Sequence, residues 1–141
     1  MLTNDTQLVS ALDQDLIGFV TAVDDSGQPQ TAPVWFIRDG EDIVVYNRPD
    51  TPRLDSIAAN PKVSFSLRGD RRARGAAVME GTAVVEPDLG PAKEFPGYVD
   101  KYGREIERLG WTADTFSSDY STAVRITVTR VRSWGLDALV N

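Results

Sequence analysis

The clearest half-buried strand pattern in this 141-residue chain runs from Val63 to Leu67, where Val63, Phe65 and Leu67 alternate with Ser64, Ser66 and Arg68. A two-residue period puts apolar side chains on one face and polar ones on the other. Residues 17–23 alternate too, but with little polar character on either face, which predicts a central strand. Asp24-Asp25-Ser26-Gly27 signals a turn. Residues 30–38 predict the returning strand, with Pro33 as an interruption that implies a bulge or an edge. Asp39-Gly40 predicts a hairpin into a strand over 43–46. Residues 76–86 predict a long strand with a bulge at Gly81, and residues 123–131 predict a last strand rich in β-branched side chains.

Helical signals lie between these runs. Thr3-Asn4-Asp5 caps a short helix through about Leu12, with Leu8 and Leu12 on one face. Thr51-Pro52 starts another, with Leu54, Ile57 and Ala58 as its apolar face and Asn60-Pro61 as its end. Residues 91–109 are helical with an interruption at Pro96-Gly97, and place Tyr98, Tyr102, Ile106 and Leu109 on one face. Residues 111–119 predict one more short helix. Six antiparallel strands without βαβ crossovers predict a mainly β fold, a small barrel or sandwich, in one domain spanning 1–141.

Two absences narrow the chemistry. The chain has no cysteine and no histidine. This excludes disulfides, thiolate nucleophiles, thiolate or imidazole metal sites and a Ser-His-Asp triad. The acidic pairs Asp24-Asp25 and Glu41-Asp42 flank turn glycines and read as solvated hairpin ends rather than metal loops. No apolar run approaches the roughly 20 residues of a membrane span, and no secretory signal stands at the N-terminus, so a cytoplasmic location without membrane contact is expected. The net charge of −6 argues against nucleic acid as a partner.

That net charge hides an asymmetry. Arg48, Arg53, Lys62, Arg68, Arg71, Arg72 and Arg74 face only Asp50, Asp55 and Asp70 in the same window. A local excess of arginine in an acidic chain suits an anionic ligand of limited size, although charge runs are also commonly solvated loops. Within that window, residues 46–53 (Tyr46-Asn47-Arg48-Pro49-Asp50-Thr51-Pro52-Arg53) carry a strand into a helix N-terminus. Such ends offer unpaired N–H groups to phosphate. Arg53 in the first turn opposes the helix dipole unless an anion binds there. Trp35 and Phe36 are adjacent, so on a strand they face opposite sides. One fits the core, and the other needs a second apolar surface, either a subunit interface or a flat ligand. Trp134 reads as an interface plug or a pocket wall.

The ordered set of residues 27–36, Asp39-Gly40, residues 47–53, residues 56–63 and Glu80-Gly81-Thr82-Ala83 resembles the pyridoxamine 5′-phosphate oxidase-like split β-barrel family. Within it, the chain looks most like the small F-420-dependent oxidoreductases. The resemblance implies a six-stranded antiparallel split barrel that forms a homodimer, with a cofactor in each groove between subunits. It implies that Arg48, Thr51 and Arg53 hold the cofactor phosphate, with Tyr46 and Asn47 on the same segment. It implies that Pro33, Val34, Trp35 and Phe36 line the ring, and that the loop containing Arg72 and Ala76 lies near the cofactor. The cofactor expected is coenzyme F-420, an 8-hydroxy-5-deazaflavin, with FMN as the alternative. The activity expected is hydride transfer to a small-molecule substrate, with the product's proton from solvent or Tyr46; a non-catalytic cofactor carrier is the other reading. Pyridoxamine phosphate oxidases use a C-terminal arginine–histidine substrate motif, and this chain has no histidine, so that activity is not expected.

Overall fold

The computed structural model describes residues 2–134. Its strands are β1 Gly18–Val23, β2 Pro29–Val34, β3 Ile37–Asp39, β4 Asp42–Asn47, β5 Lys62–Leu67, β6 Ala77–Val85 and β7 Thr122–Ser133. Its helices are α1 Thr6–Gln14, α2 Pro52–Ala59, α3 Tyr98–Arg108 and α4 Ala113–Asp119. All strand pairs are antiparallel, in the order β2-β1-β5-β6-β7-β4-β3.

The expectation of six strands is corrected to seven, because residues 30–38 are not one strand. Pairing with β1 continues through Pro33, opposite Phe19, and the break falls at Trp35 and Phe36. Pro33 is tolerated because β2 is an edge strand. The strands flanking the break, β2 and β3, lie at opposite edges of the sheet. Three Cα–Cα steps reach at most about 11 Å. The sheet therefore curls until its two edges meet across residues 35–36.

The curl encloses one core and leaves a second outside it. Inside are Val20, Phe36, Ile43, Val45, Phe65, Met79 and Ile126, with Leu8 and Leu12 from α1 and Ile57 from α2. Outside, Val44 and Tyr46 pack on Tyr98, Tyr102, Ile106 and Phe116 from α3 and α4. Strand β4 is thus buried on both faces, which accounts for its apolar run without alternation. At the β6 bulge, a Cβ on Gly81 would stand 2.3 Å from the Thr127 carbonyl oxygen, so only glycine fits.

Local details differ from the sequence reading in three places. Ala58 is exposed, and Leu109 caps α3 while 63% exposed. Glu41 and Asp42 are not merely solvated. Glu41 accepts the Thr3 hydroxyl and the N–H groups of Thr3 (3.0 Å) and Leu2 (2.6 Å), and these bonds, the hydroxyl foremost, lower its pKa to about 2. Asp42 joins Asp39 and Glu86 around Arg125, at 3.0, 3.0 and 2.8 Å. Burial opposes the Arg125 charge, but the bonds to these carboxylates outweigh it and raise its pKa.

Candidate functional site

A groove of about 480 Å³ opens where β4 runs into α2, beside α4. Its basic end is built from Asn47 outward. Asn47 is buried (2% exposed), and its Nδ2 donates to the Val45 and Thr122 carbonyls at 3.0 and 3.2 Å. Its Oδ1 therefore faces the other way and accepts from Arg53 Nη2 at 2.5 Å. Arg53 lies in the first turn of α2, as the sequence predicts, and burial lowers its pKa. Among the described residues no carboxylate pairs with it. A half-buried guanidinium with only a neutral partner has spare donors and an unmet preference for an anion. Thr51 is the N-cap of α2, but its hydroxyl makes no capping bond. Arg48 lies at the same end, ion-paired with Asp119 at 3.1 Å and stacked over Tyr120 (5.1 Å) and Trp111 (5.9 Å).

The rest of the groove is an aromatic and aliphatic wall. The Trp35 indole stacks on Tyr102 (4.6 Å, 10°) and on Phe116 (5.3 Å). Phe116 stacks in turn on Tyr120 at 4.8 Å. Pro33 and Val34 adjoin Trp35, and Ile17 and Leu109 complete the lining. Tyr46 contributes its ring, while its hydroxyl donates to the Gly90 carbonyl at 3.2 Å. Burial pushes the Tyr46 pKa up to about 12, which makes it a poor proton source near neutrality.

Three predicted residues stand elsewhere. Phe36 is fully buried inside the curled sheet, packed edge-on to Phe65 at 4.9 Å, so it cannot wall the groove. The alternation argument holds, since Trp35 turns outward and Phe36 inward. Ala76 lines a different groove of about 450 Å³, between α1 and the loop over residues 69–75. Arg72 is an exposed residue of that loop and does not line the groove holding Arg53. Of the seven basic residues between 48 and 74, only Arg48 and Arg53 line the site, and Arg74 is paired with Asp70 at 2.9 Å. Trp134 walls the second groove, and its backbone pairs with Gly75 and Ala76.

The sequence reading missed Ile17, Leu109, Trp111, Phe116 and Tyr120 as site residues. Phe116 and Tyr120 are one helical turn apart, a spacing that puts both rings on one face. Nothing local marked that face as the one beside Trp35. Among the described residues, no cluster of three or more acidic side chains is placed to hold a metal ion, and no helix is long and apolar enough to cross a membrane.

Comparison with known proteins sets this site in context. A search of curated proteins finds no match. Among solved structures, a conserved hypothetical protein from Mycobacterium tuberculosis is similar at a TM-score of 0.71, with 19% identity, over 94% of this chain and 85% of that one. An F-420 reductase is similar at a TM-score of 0.61, with 24% identity, over 87% and 94%. The heme storage protein from Vibrio cholerae is similar at a TM-score of 0.61, with 16% identity, over 92% and 96%. At these identities the likeness concerns the fold, not the ligand. The family model described as pyridoxamine 5′-phosphate oxidase matches residues 5–135, nearly the whole curled sheet and the groove on it. The chain therefore belongs to the pyridoxamine 5′-phosphate oxidase family.

Proposed function

We propose that this protein is an oxidoreductase that binds reduced coenzyme F-420 in the groove beside α2 and uses it to reduce a small organic acceptor. One observation carries this reading. The partly desolvated Arg53, aimed by Asn47 and with no carboxylate partner among the described residues, shares a groove with the flat Trp35 wall. An anion with an attached planar ring satisfies both ends at once. When bound, the deazaflavin supplies a hydride, so the chain need not provide a nucleophile. Arg53, Thr51 and Arg48 hold the phosphate; Trp35, Val34 and Pro33 wall the ring and exclude water from it. Tyr46 keeps its proton, and the product takes its proton from solvent.

FMN is the second reading, and a specific observation favours it. Among the described residues only Arg48 and Arg53 bring a positive charge to the groove in a single subunit, which matches one phosphate better than a polyglutamate tail. A homodimer narrows that difference if the second copy brings its residue 72–76 loop to the groove. The half-buried Phe19, Thr21, Ser64 and Ser66 on β1 and β5 offer a surface for such a copy. Titration of the apo-protein with FMN and with F-420, followed by fluorescence, decides between the two. Binding of neither removes the proposal. Consumption of the reduced cofactor with a panel of acceptors separates an enzyme from a carrier.

A further inference from the structure

Residues 35 and 36 join the two edges of the sheet without belonging to either edge strand. Their backbone groups need partners from elsewhere, and α3 supplies them. The Tyr102 hydroxyl accepts the Phe36 N–H at 2.9 Å and lies 2.8 Å from the Leu16 carbonyl and 2.9 Å from the Phe36 carbonyl, to which it can donate. Lys101 Nζ donates to the Phe36 carbonyl at 3.0 Å and to the Leu12 carbonyl at 2.9 Å, and sits 3.8 Å from the centre of the Phe36 ring. Lys101 thus ties the Phe36 carbonyl to the end of α1. Tyr102 bonds both backbone groups of Phe36, and its ring lies flat against the Trp35 indole at 4.6 Å and 10°.

We propose that Lys101 and Tyr102 are positioning residues that set the plane in which Trp35 faces a ring bound in the groove. Neither residue lines the groove. The ligand half of this inference rests on the proposed function, whereas the Trp35 half can be read with no ligand present. The two interactions act on the same short link, so removing either loosens Trp35 without touching the Arg53 end.

The experiment uses a Trp111→Phe/Trp134→Phe background, in which Trp35 is the remaining tryptophan of the three in the chain. Lys101→Met and Tyr102→Phe are added singly. Met keeps the volume of the lysine stem and Phe keeps the stacking ring, so both preserve packing, while each removes a partner of the Phe36 backbone. Acrylamide quenching of Trp35 and the near-ultraviolet circular dichroism of the Trp35–Tyr102 stack are measured well below the thermal midpoint. The expected result is an increase of about twofold in quenching and a diminished aromatic signal in both variants, because hydrogen bonds hold the link. Riboflavin, a ring without phosphate, should bind about tenfold more weakly, while binding of inorganic phosphate at Arg53 stays unchanged. Unchanged quenching and circular dichroism overturn the proposal, and so does an equal loss of riboflavin and phosphate affinity, which marks a purely structural role. If the unsubstituted protein, with Trp111 still lining the groove, binds no ring at all, the proposed function fails, and the quenching and circular dichroism still decide whether α3 orients Trp35. Should one variant not fold, the other carries the same two readouts.

Discussion

Removing the Arg53 guanidinium tests the site where its physics is simplest. The group is half-buried, bonded to a neutral amide oxygen at 2.5 Å and without a carboxylate partner among the described residues. In the proposed complex its remaining N–H groups bond to phosphate. A hydrogen bond to a charged group contributes about 1.5–3 kcal/mol, so Arg53→Ala should weaken binding of a phosphorylated ring by about 10- to 150-fold. The assay is a fluorescence titration at fixed ionic strength with FMN and F-420, each paired with its phosphate-free chromophore. Affinity for the phosphate-free ring should stay within about twofold, since the lost term is electrostatic and local. Asn47→Ala sharpens the test. It leaves Arg53 in place but removes the oxygen that aims it, and should by itself reproduce only part of the loss. In the Arg53→Ala background, Asn47→Ala should then have no further effect on binding, because the guanidinium it positions is gone. Equal losses for phosphorylated and phosphate-free rings, or additive effects of the two substitutions, would refute the reasoning.

Four further outcomes follow from other parts of the structure. The Tyr98 hydroxyl is buried with no hydrogen-bond partner among the described residues; Tyr98→Phe should leave stability unchanged or raise it by about 1 kcal/mol in a urea titration. Gly81→Ala forces a Cβ to within 2.3 Å of a backbone oxygen in the adjacent strand, and should lower stability by about 2 kcal/mol or more, read as a drop in thermal midpoint. Arg125→Met leaves Asp39, Asp42 and Glu86 gathered without their cation; about 2 kcal/mol of destabilisation is expected at neutral pH, shrinking on addition of salt. Burial lowers the Lys101 pKa from 10.5 to about 8. Between those values the unfolded chain binds more protons than the folded one, so stability should rise with pH above about 8, by up to about 2 kcal/mol at about pH 9.5. Denaturation at a series of pH values up to about 9.5, below the range where the buried tyrosines ionise, should show this slope in the wild type and not in Lys101→Met.

Local patterns carried much of this fold because they arise from local causes. Alternation in residues 63–67 reports one buried face, Thr51-Pro52 reports a helix start, and Gly81 reports a bulge. Arg53 was legible in the same way, since a cation in the first turn of a helix works against the dipole without an anion. Other features depend on what lies across space. Pro33 marked an interruption within residues 30–38, but not that the strand ends at Val34 and a new one starts at the opposite edge, because that break serves the meeting of two sheet edges. Trp35 and Phe36 are neighbours of similar character, and only the curl of the sheet decides which is core and which is wall. The basic window from 48 to 74 is continuous in sequence, yet folding sends Arg48 and Arg53 to one groove and the residue 69–75 loop to another. Charge density along a chain measures proximity in sequence, whereas a ligand senses proximity in space. The aromatic face of α4 and the grip of α3 on Phe36 follow the same rule: residues as far apart in sequence as Trp35 and Phe116 meet only once the sheet has closed.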